Sequence, residues 1–274
     1  MRYVPDRERS LRLTPAELRA GFLVSDLFHA GRLTYVACDL DRVILGGAVP
    51  TDEPLAVTAP PETGTESLTE RREVGILNIG GAGTATVGEE TYEMGRLDCL
   101  YVGRGAPEVR LASASAADPA RFYLVSYPAH EAFPTAHVRQ RDVEPVVLGS
   151  QGEANRRRLY KYVHPAGVGS AQLVMGITVL EEGSVWNTMP PHTHERRSEV
   201  YLYFGLEAPN VVFHLMGAPE ATQSLVVRSG EAVLSPPWSV HAGAGTGAYT
   251  FCWAMGGENQ DFSDMQAAPL DRLA

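Results

Sequence analysis

Pro190-Pro191-His192-Thr193-His194-Glu195-Arg196-Arg197-Ser198-Glu199-Val200-Tyr201 is the stretch on which the reading of this chain turns. Two histidines stand one residue apart, and an acid follows the second at a distance of five. On a β-strand, residues i and i+2 share a face, so both imidazoles enter one cavity. Trp186 and Thr188 have the same parity. Glu199 has the wrong parity for one unbroken strand. Glu195-Arg196-Arg197-Ser198 is polar, however, and reads as a turn that resets the register. Glu199 then enters the cavity from the next strand, with Tyr201 and Tyr203 following on its face. Downstream, Gly230 and Pro236-Pro237 mark turns around Ala232-Val233-Leu234 and deliver His241. His192, His194, Glu199 and His241 together form a metal-ligand set. Without thiolates the set suits Zn, Mn, Fe, Co or Ni and does not choose among them. His29, His130, His137 and His164 lack such spacing and read as surface or core histidines, and His214 reads as strand core.

Outward from this stretch the pattern is strands. Leu173 to Leu180, Glu199 to Phe204, Val211 to Met216, Ser224 to Val227 and Tyr249 to Met255 are short runs rich in β-branched and aromatic residues. A similar series lies upstream, from Phe22-Leu23-Val24 to Arg121 through Tyr127. Gly80-Gly81-Ala82-Gly83 interrupts it. With no third glycine at the required spacing and no helical pattern after it, this run reads as a tight hairpin and not a phosphate loop. Residues 1–13 read as an irregular arm. Thr14-Pro15-Ala16-Glu17 is a capping box that opens a short helix ending at Gly21. Residues 128–170 read as a connection holding one strand, Arg158 to Val163. Short strands separated by Gly and Pro turns predict an all-β chain of sandwiches or barrels with a few short helices.

An internal echo suggests two such units. Glu70-Arg71-Arg72-Glu73-Val74 resembles Glu195-Arg196-Arg197-Ser198-Glu199-Val200, and Gly95 to Ala106 can be laid on Gly230 to His241. Ala106 then falls where His241 stands. The expected division is 1–145, a barrel without metal ligands, and 146–274, a metal-binding barrel.

Composition narrows the partners. The 274 residues carry 23 Lys and Arg against 33 Asp and Glu, a net charge of -10. Such a chain repels phosphate backbones, so no nucleic-acid partner is expected. Cys38, Cys99 and Cys252 are odd in number and far apart, which predicts thiols in a reducing compartment. The charged N-terminus lacks the apolar segment of a secretory signal, and no apolar run is long enough to span a membrane. A cytoplasmic location is expected.

Gly183, His192-x-His194-x4-Glu199, Gly205, Gly230-x5-Pro236 and His241 resemble the two metal-binding motifs of the cupin superfamily. The first gap from glycine to histidine is longer than usual. Trp238 stands where glycine is typical, and Gly245 where asparagine is common. A closer resemblance covers nearly the whole chain. Leu77 to Thr84, Leu100 to Gly103, Trp186 to Pro190, His192 to Arg197 and Gly257-Glu258-Asn259-Gln260 are similar to the 5-keto-4-deoxyuronate isomerase family. That resemblance implies two cupin-type β-barrels per subunit, a bicupin. It also implies one Zn2+ per subunit on His192, His194, Glu199 and His241, a homohexamer, and a role in using uronates from pectin or glycosaminoglycan breakdown.

The implied reaction interconverts the aldose and ketose forms of a keto-deoxyuronate. A chelating metal stabilises the oxyanion and a base takes the carbon-bound proton. Tyr201, Tyr203 and Glu195 are the candidates for proton transfer; Arg196, Arg158 and Lys161 are the candidates to hold the substrate carboxylate. Two other functions share the ligand set: a metal-dependent cupin dioxygenase, and a sugar-binding cupin without catalysis.

Overall fold

The computed structural model describes residues 1–258, 260 and 264–274; Asn259, in one of the strings quoted above, lies outside the described residues. The fold is mostly β, and the chain divides into two compact units. One comprises residues 1–2, 26–144 and 161–175; the other comprises 3–25, 145–160 and 176–274.

In the first unit a six-stranded antiparallel sheet runs in the order Ala136–Val138, Cys99–Val102, Arg72–Asn78, Phe122–Pro128, Ile44–Val49, Arg32–Ala37. A four-stranded sheet holds Leu55–Ala56, Val109–Ser113, Gly83–Val87 and Glu90–Met94. Gly83–Val87 alternates buried and half-buried residues, as expected of a strand with one face on a core. That core includes Ile44, Leu68, Ile76, Leu111 and Phe122.

The glycine run before Gly83–Val87 is not the expected hairpin. Arg72–Asn78 pairs with Cys99–Val102 and Phe122–Pro128, whereas Gly83–Val87 pairs with Glu90–Met94 and Val109–Ser113 in the other sheet. The run is a crossover between sheets. Its glycines serve close backbone approach: a Cβ on Gly81 would stand 2.2 Å from the Asp118 carbonyl oxygen. The tight hairpin comes one turn later, at Gly88, where φ is +60°.

Glu73 is fully buried in this unit. Its carboxylate accepts hydrogen bonds from Tyr101 Oη at 2.6 Å and from the backbone N–H groups of Ala171, Gln172 and Leu173 at 2.7, 2.8 and 2.7 Å. A buried anion is tolerated only with such full satisfaction.

The second unit carries a seven-stranded sheet in the order Leu23–Val24, Glu231–Ser235, Arg197–Phe204, Thr250–Gly257, Val174–Leu180, Arg157–Val163, Val146–Leu148. A four-stranded sheet of Trp186–Asn187, Val240–Gly245, Val212–Gly217 and Gln223–Val227 accompanies it, and His192–Thr193 pairs with Gln266–Ala267.

Residues 3–25 were expected within the 1–145 domain and instead group with the second unit. Leu23 and Val24 pair with Val233 and Ala232. The helix Pro15–Phe22 before them is fixed by Arg19 Nη1 donating to the Val226 carbonyl at 2.6 Å and by an edge-to-face contact of Phe22 with Trp238. The predicted capping box is present, with Thr14 and Glu17 bonded reciprocally at 3.3 and 2.9 Å. The helix runs one residue past Gly21. The arm also holds a short helix, Arg7–Ser10, capped by Asp6. The three cysteines are buried, and none forms a disulfide. Among the described residues no helix is long and apolar enough to cross a membrane.

Candidate metal centre

His192, His194, Glu199 and His241 meet in the second unit, and one potential ligand atom from each lies within 4.8 Å of all the others. His192 sits in its two-residue strand and His194 directly after it. Trp186 and Thr188 do not continue that strand. Trp186–Asn187 pairs with Val240–Gly245, and Thr188 takes a φ of +50°. The two imidazoles therefore converge without a shared strand running back to Trp186. Glu199 comes from Arg197–Phe204, whose residues 197, 199, 201 and 203 share one face. His241 comes from Val240–Gly245 in the other sheet.

His241 Nε2 lies 3.1 Å from His192 Nε2 and 3.5 Å from Glu199 Oε2, and His194 Nε2 lies 2.8 Å from Glu199 Oε1. Ligands bound at about 2.1 Å stand about 3.0 to 3.4 Å apart in octahedral or tetrahedral arrangements, so these spacings fit a metal. The His194 Nε2 atom is buried without a well-aligned hydrogen bond, the kind of orphaned polar atom that an ion satisfies. His241 Nδ1 is 3.4 Å from the Ser239 carbonyl. A carbonyl only accepts, so the proton sits on Nδ1 and Nε2 is free to ligate.

The charges agree. Burial, reinforced by the neighbouring His241, pushes the His192 pKa down to about 3, and burial pushes that of His241 down to about 4. Both are neutral at pH 7. Burial alone would raise the Glu199 pKa, but His241 and the hydrogen bond and charge of His194 outweigh it and hold the carboxyl below its usual range. His192 and His241 thus present neutral imidazoles beside a buried carboxylate anion, an arrangement completed by a cation.

His192, His194 and Glu199 lie on the wall of a cavity of about 480 Å³. Leu159, Pro191, Phe251, Trp253, Met255 and Met265 supply much of its apolar lining. A volume of this order suits a small-molecule ligand.

A model of the KduI/IolB family matches residues 51–269 of the chain. This chain belongs to the KduI/IolB family. It is 52% identical over 275 residues to the 4-deoxy-L-threo-5-hexosulose-uronate ketol-isomerase of Opitutus terrae, covering 100% of this chain and 99% of that protein. It is 51% identical to the protein of the same name from Kineococcus radiotolerans, covering 99% of both. Among solved structures, an IolB-like protein from Salmonella typhimurium superposes with a TM-score of 0.72 at 11% identity, covering 90% of this chain and 96% of that one. A Bacillus subtilis oxalate decarboxylase superposes with a TM-score of 0.59 at 10% identity, covering 84% and 74%. These structural likenesses concern the fold alone.

The remaining candidates are distributed unevenly in this KduI/IolB chain. Tyr201 lines the cavity, and its hydroxyl lies 3.2 Å from Thr188 Oγ1. Tyr203 shares its face but lies behind it, with its hydroxyl 2.7 Å from Nδ1 of the fully buried His214. Glu195 is exposed, and its backbone N–H donates to Gln266 Oε1 at 3.1 Å. None of the three carboxylate candidates lines the cavity. Arg196 is exposed and pairs with Glu258; Arg158 is exposed and pairs with Glu181 at 3.2 Å; Lys161 belongs to the first unit. The physical reason is parity: Arg196 and Arg158 each sit beside a residue that does face inward, Arg197 and Arg157.

Arg197 was expected in a turn. It begins the strand and is 1% exposed. Its Nη2 lies 2.8 Å from Asp264 Oδ1 and 3.2 Å from His194 Nδ1, while Asp264 Oδ1 is 3.6 Å from that same nitrogen. Arg197 Nε also donates to His194 Nδ1 at 3.3 Å, and Asp264 balances the guanidinium charge that would otherwise stand unopposed beside this candidate ligand. Nothing in the sequence pattern pointed to Asp264. Replacing Asp264 with Ala is expected to weaken metal affinity about 10- to 100-fold, read by competition with a chromophoric chelator.

Proposed function

We propose that this chain is a metal-dependent ketol-isomerase acting on 4-deoxy-L-threo-5-hexosulose uronate, with zinc held by His192, His194, Glu199 and His241. The observation that carries the proposal is a site of three imidazoles and one carboxylate at a small-molecule cavity, in a chain 52% identical along its length to a relative bearing that name. A place in the use of uronates released from pectin follows from the reaction. The same reading makes the protein a cytoplasmic homohexamer.

We read the two units as two cupin barrels. Each combines a larger sheet with a four-stranded one, which supports that reading. In the first, Glu73 stands near the start of its strand as Glu199 does in the second, but its carboxylate is filled by a tyrosine hydroxyl and three backbone N–H groups. The first barrel thus has a hydrogen-bonded plug where the second has ligands.

Aldose–ketose interconversion moves one proton between adjacent carbons and one between their oxygens, with no net oxidation. When bound, the ion polarises the carbonyl and offsets the charge that develops on its oxygen. The chain's own contribution is orientation, exclusion of water and control of a proton at Tyr201 Oη. Burial first, then the charge of Glu199, raises the Tyr201 pKa well above the usual phenol value. At neutral pH this hydroxyl keeps its proton and donates to a substrate oxygen. The apolar walls exclude water and so strengthen each polar contact.

Tyr201→Phe is expected to lower kcat about 100-fold while metal content stays unchanged, measured by steady-state kinetics beside elemental analysis. The function itself is tested by incubating the metal-loaded protein with the keto-deoxyuronate under nitrogen and following the carbon-bound protons by NMR. Conversion to the ketose supports the proposal. Absence of conversion, or conversion that requires oxygen, refutes it.

A further inference from the structure

Arg156-Arg157-Arg158 is a run of three cations in a chain of net charge -10. Its members do different work. The strand Arg157–Val163 sends successive side chains to opposite faces. Arg156 Nε and Arg158 Nε lie 3.0 and 3.2 Å from the two carboxylate oxygens of Glu181, and both arginines are exposed. Surface ion pairs of this kind contribute little to stability.

Arg157 points the other way. It is half-buried and lines the cavity, as do Leu159, Thr178 and Tyr201. Its Nη1 donates to the Asn155 carbonyl at 2.8 Å, which orients the guanidinium. Among the described residues it forms no ion pair within 4.0 Å. Burial lowers its pKa, and the titratable groups that bear on it are the phenols of Tyr201 and Tyr249, not a carboxylate. The other cation on the cavity wall, Arg197, is already matched by Asp264 at 2.8 Å. A desolvated guanidinium without a counter-ion is costly unless an anion arrives. Its planar fork fits a carboxylate through two parallel hydrogen bonds.

We propose that Arg157 is the receptor for the substrate's carboxylate, so that the cavity holds a hexuronate by its acid end while the His and Glu cluster faces its carbonyl end. The inference rests on the ketol-isomerase reading of this cavity and adds a specificity determinant to it. Arg157 selects uronates over neutral sugars of the same length.

Binding distinguishes the two claims because it needs no turnover. Metal-loaded wild type, Arg157→Gln and Arg157→Lys are titrated calorimetrically with a hexuronate, D-glucuronate, and with its neutral counterpart, D-glucose. Melting temperature and metal stoichiometry serve as controls for folding. Wild type is expected to prefer the hexuronate. Arg157→Gln is expected to weaken hexuronate binding about 10- to 100-fold and glucose binding less than about 2-fold, with Arg157→Lys falling between. Equal losses on both ligands, no loss on either, or a wild type without preference for the hexuronate would overturn the assignment. The predicted pattern in a protein that does not isomerise the keto-deoxyuronate supports the carboxylate site and refutes the isomerase reading alone.

Discussion

His241→Ala is expected to abolish both metal binding and activity while leaving the fold intact. His241 is 1% exposed, and its Nε2 stands within 3.5 Å of both His192 and Glu199. Its removal takes one of four ligands from the cluster and leaves Glu199 buried with less to balance it. A metal's Lewis-acid contribution is several kcal/mol, and each 1.4 kcal/mol or so is tenfold in rate, so activity should fall by at least about 1000-fold. The substituted side chain belongs to the ligand cluster and makes no backbone hydrogen bond of the strand ladder, so the far-UV circular dichroism should be unchanged. Elemental analysis of the purified variant reads the metal directly. Retention of a full equivalent of metal, with activity near wild type, would remove His241 from the site.

Glu73→Ala should have the largest effect on stability. It leaves a tyrosine hydroxyl and three backbone N–H groups in the first unit without their acceptor. An unsatisfied buried donor costs about 1 to 3 kcal/mol, and loss of one partner from a buried charged network costs about 3 to 5 kcal/mol. For units of this size each kcal/mol shifts Tm by roughly 2 to 4 °C, so a fall of about 10 °C or more is expected in differential scanning calorimetry. Glu73→Gln keeps one good acceptor oxygen but directs an NH2 group at other donors, so it should recover only part of the loss. Metal stoichiometry should not change in either variant, because the ligands belong to the other unit. A Glu73→Ala protein that melts within about 2 °C of wild type would mean that the buried carboxylate is not a net stabiliser.

The four residues that could hold a metal were legible in the sequence because that chemistry restricts residue type and spacing: histidines at i and i+2, an acid past a polar turn, and a histidine after a Gly and Pro punctuated strand. The groups that support them were not. Arg197 has the composition of a turn residue, and only the register with Gly257 makes it the first inward position of its strand. Asp264 reaches His194 through a tertiary contact from the C-terminal segment, where Gln266–Ala267 pairs with His192–Thr193; such a two-residue pairing has no periodic signature. The same limit explains the misassigned N-terminus, which joins the second unit through Leu23 and Val24 alone among strands. Arg158 and Arg196 show how a one-residue parity error moves a side chain from cavity to solvent. The glycine run at Gly80 was assigned its correct reason, close backbone approach, only by the neighbouring Asp118.

In the proposed mechanism one ion on His192, His194, Glu199 and His241 drives the isomerisation. The most direct measurement strips the protein with a chelator and titrates zinc back under nitrogen while following turnover of the keto-deoxyuronate. No turnover is expected without metal, followed by a linear rise and a plateau at about one ion per chain. Full turnover by the stripped protein, with metal absent by elemental analysis, would contradict it.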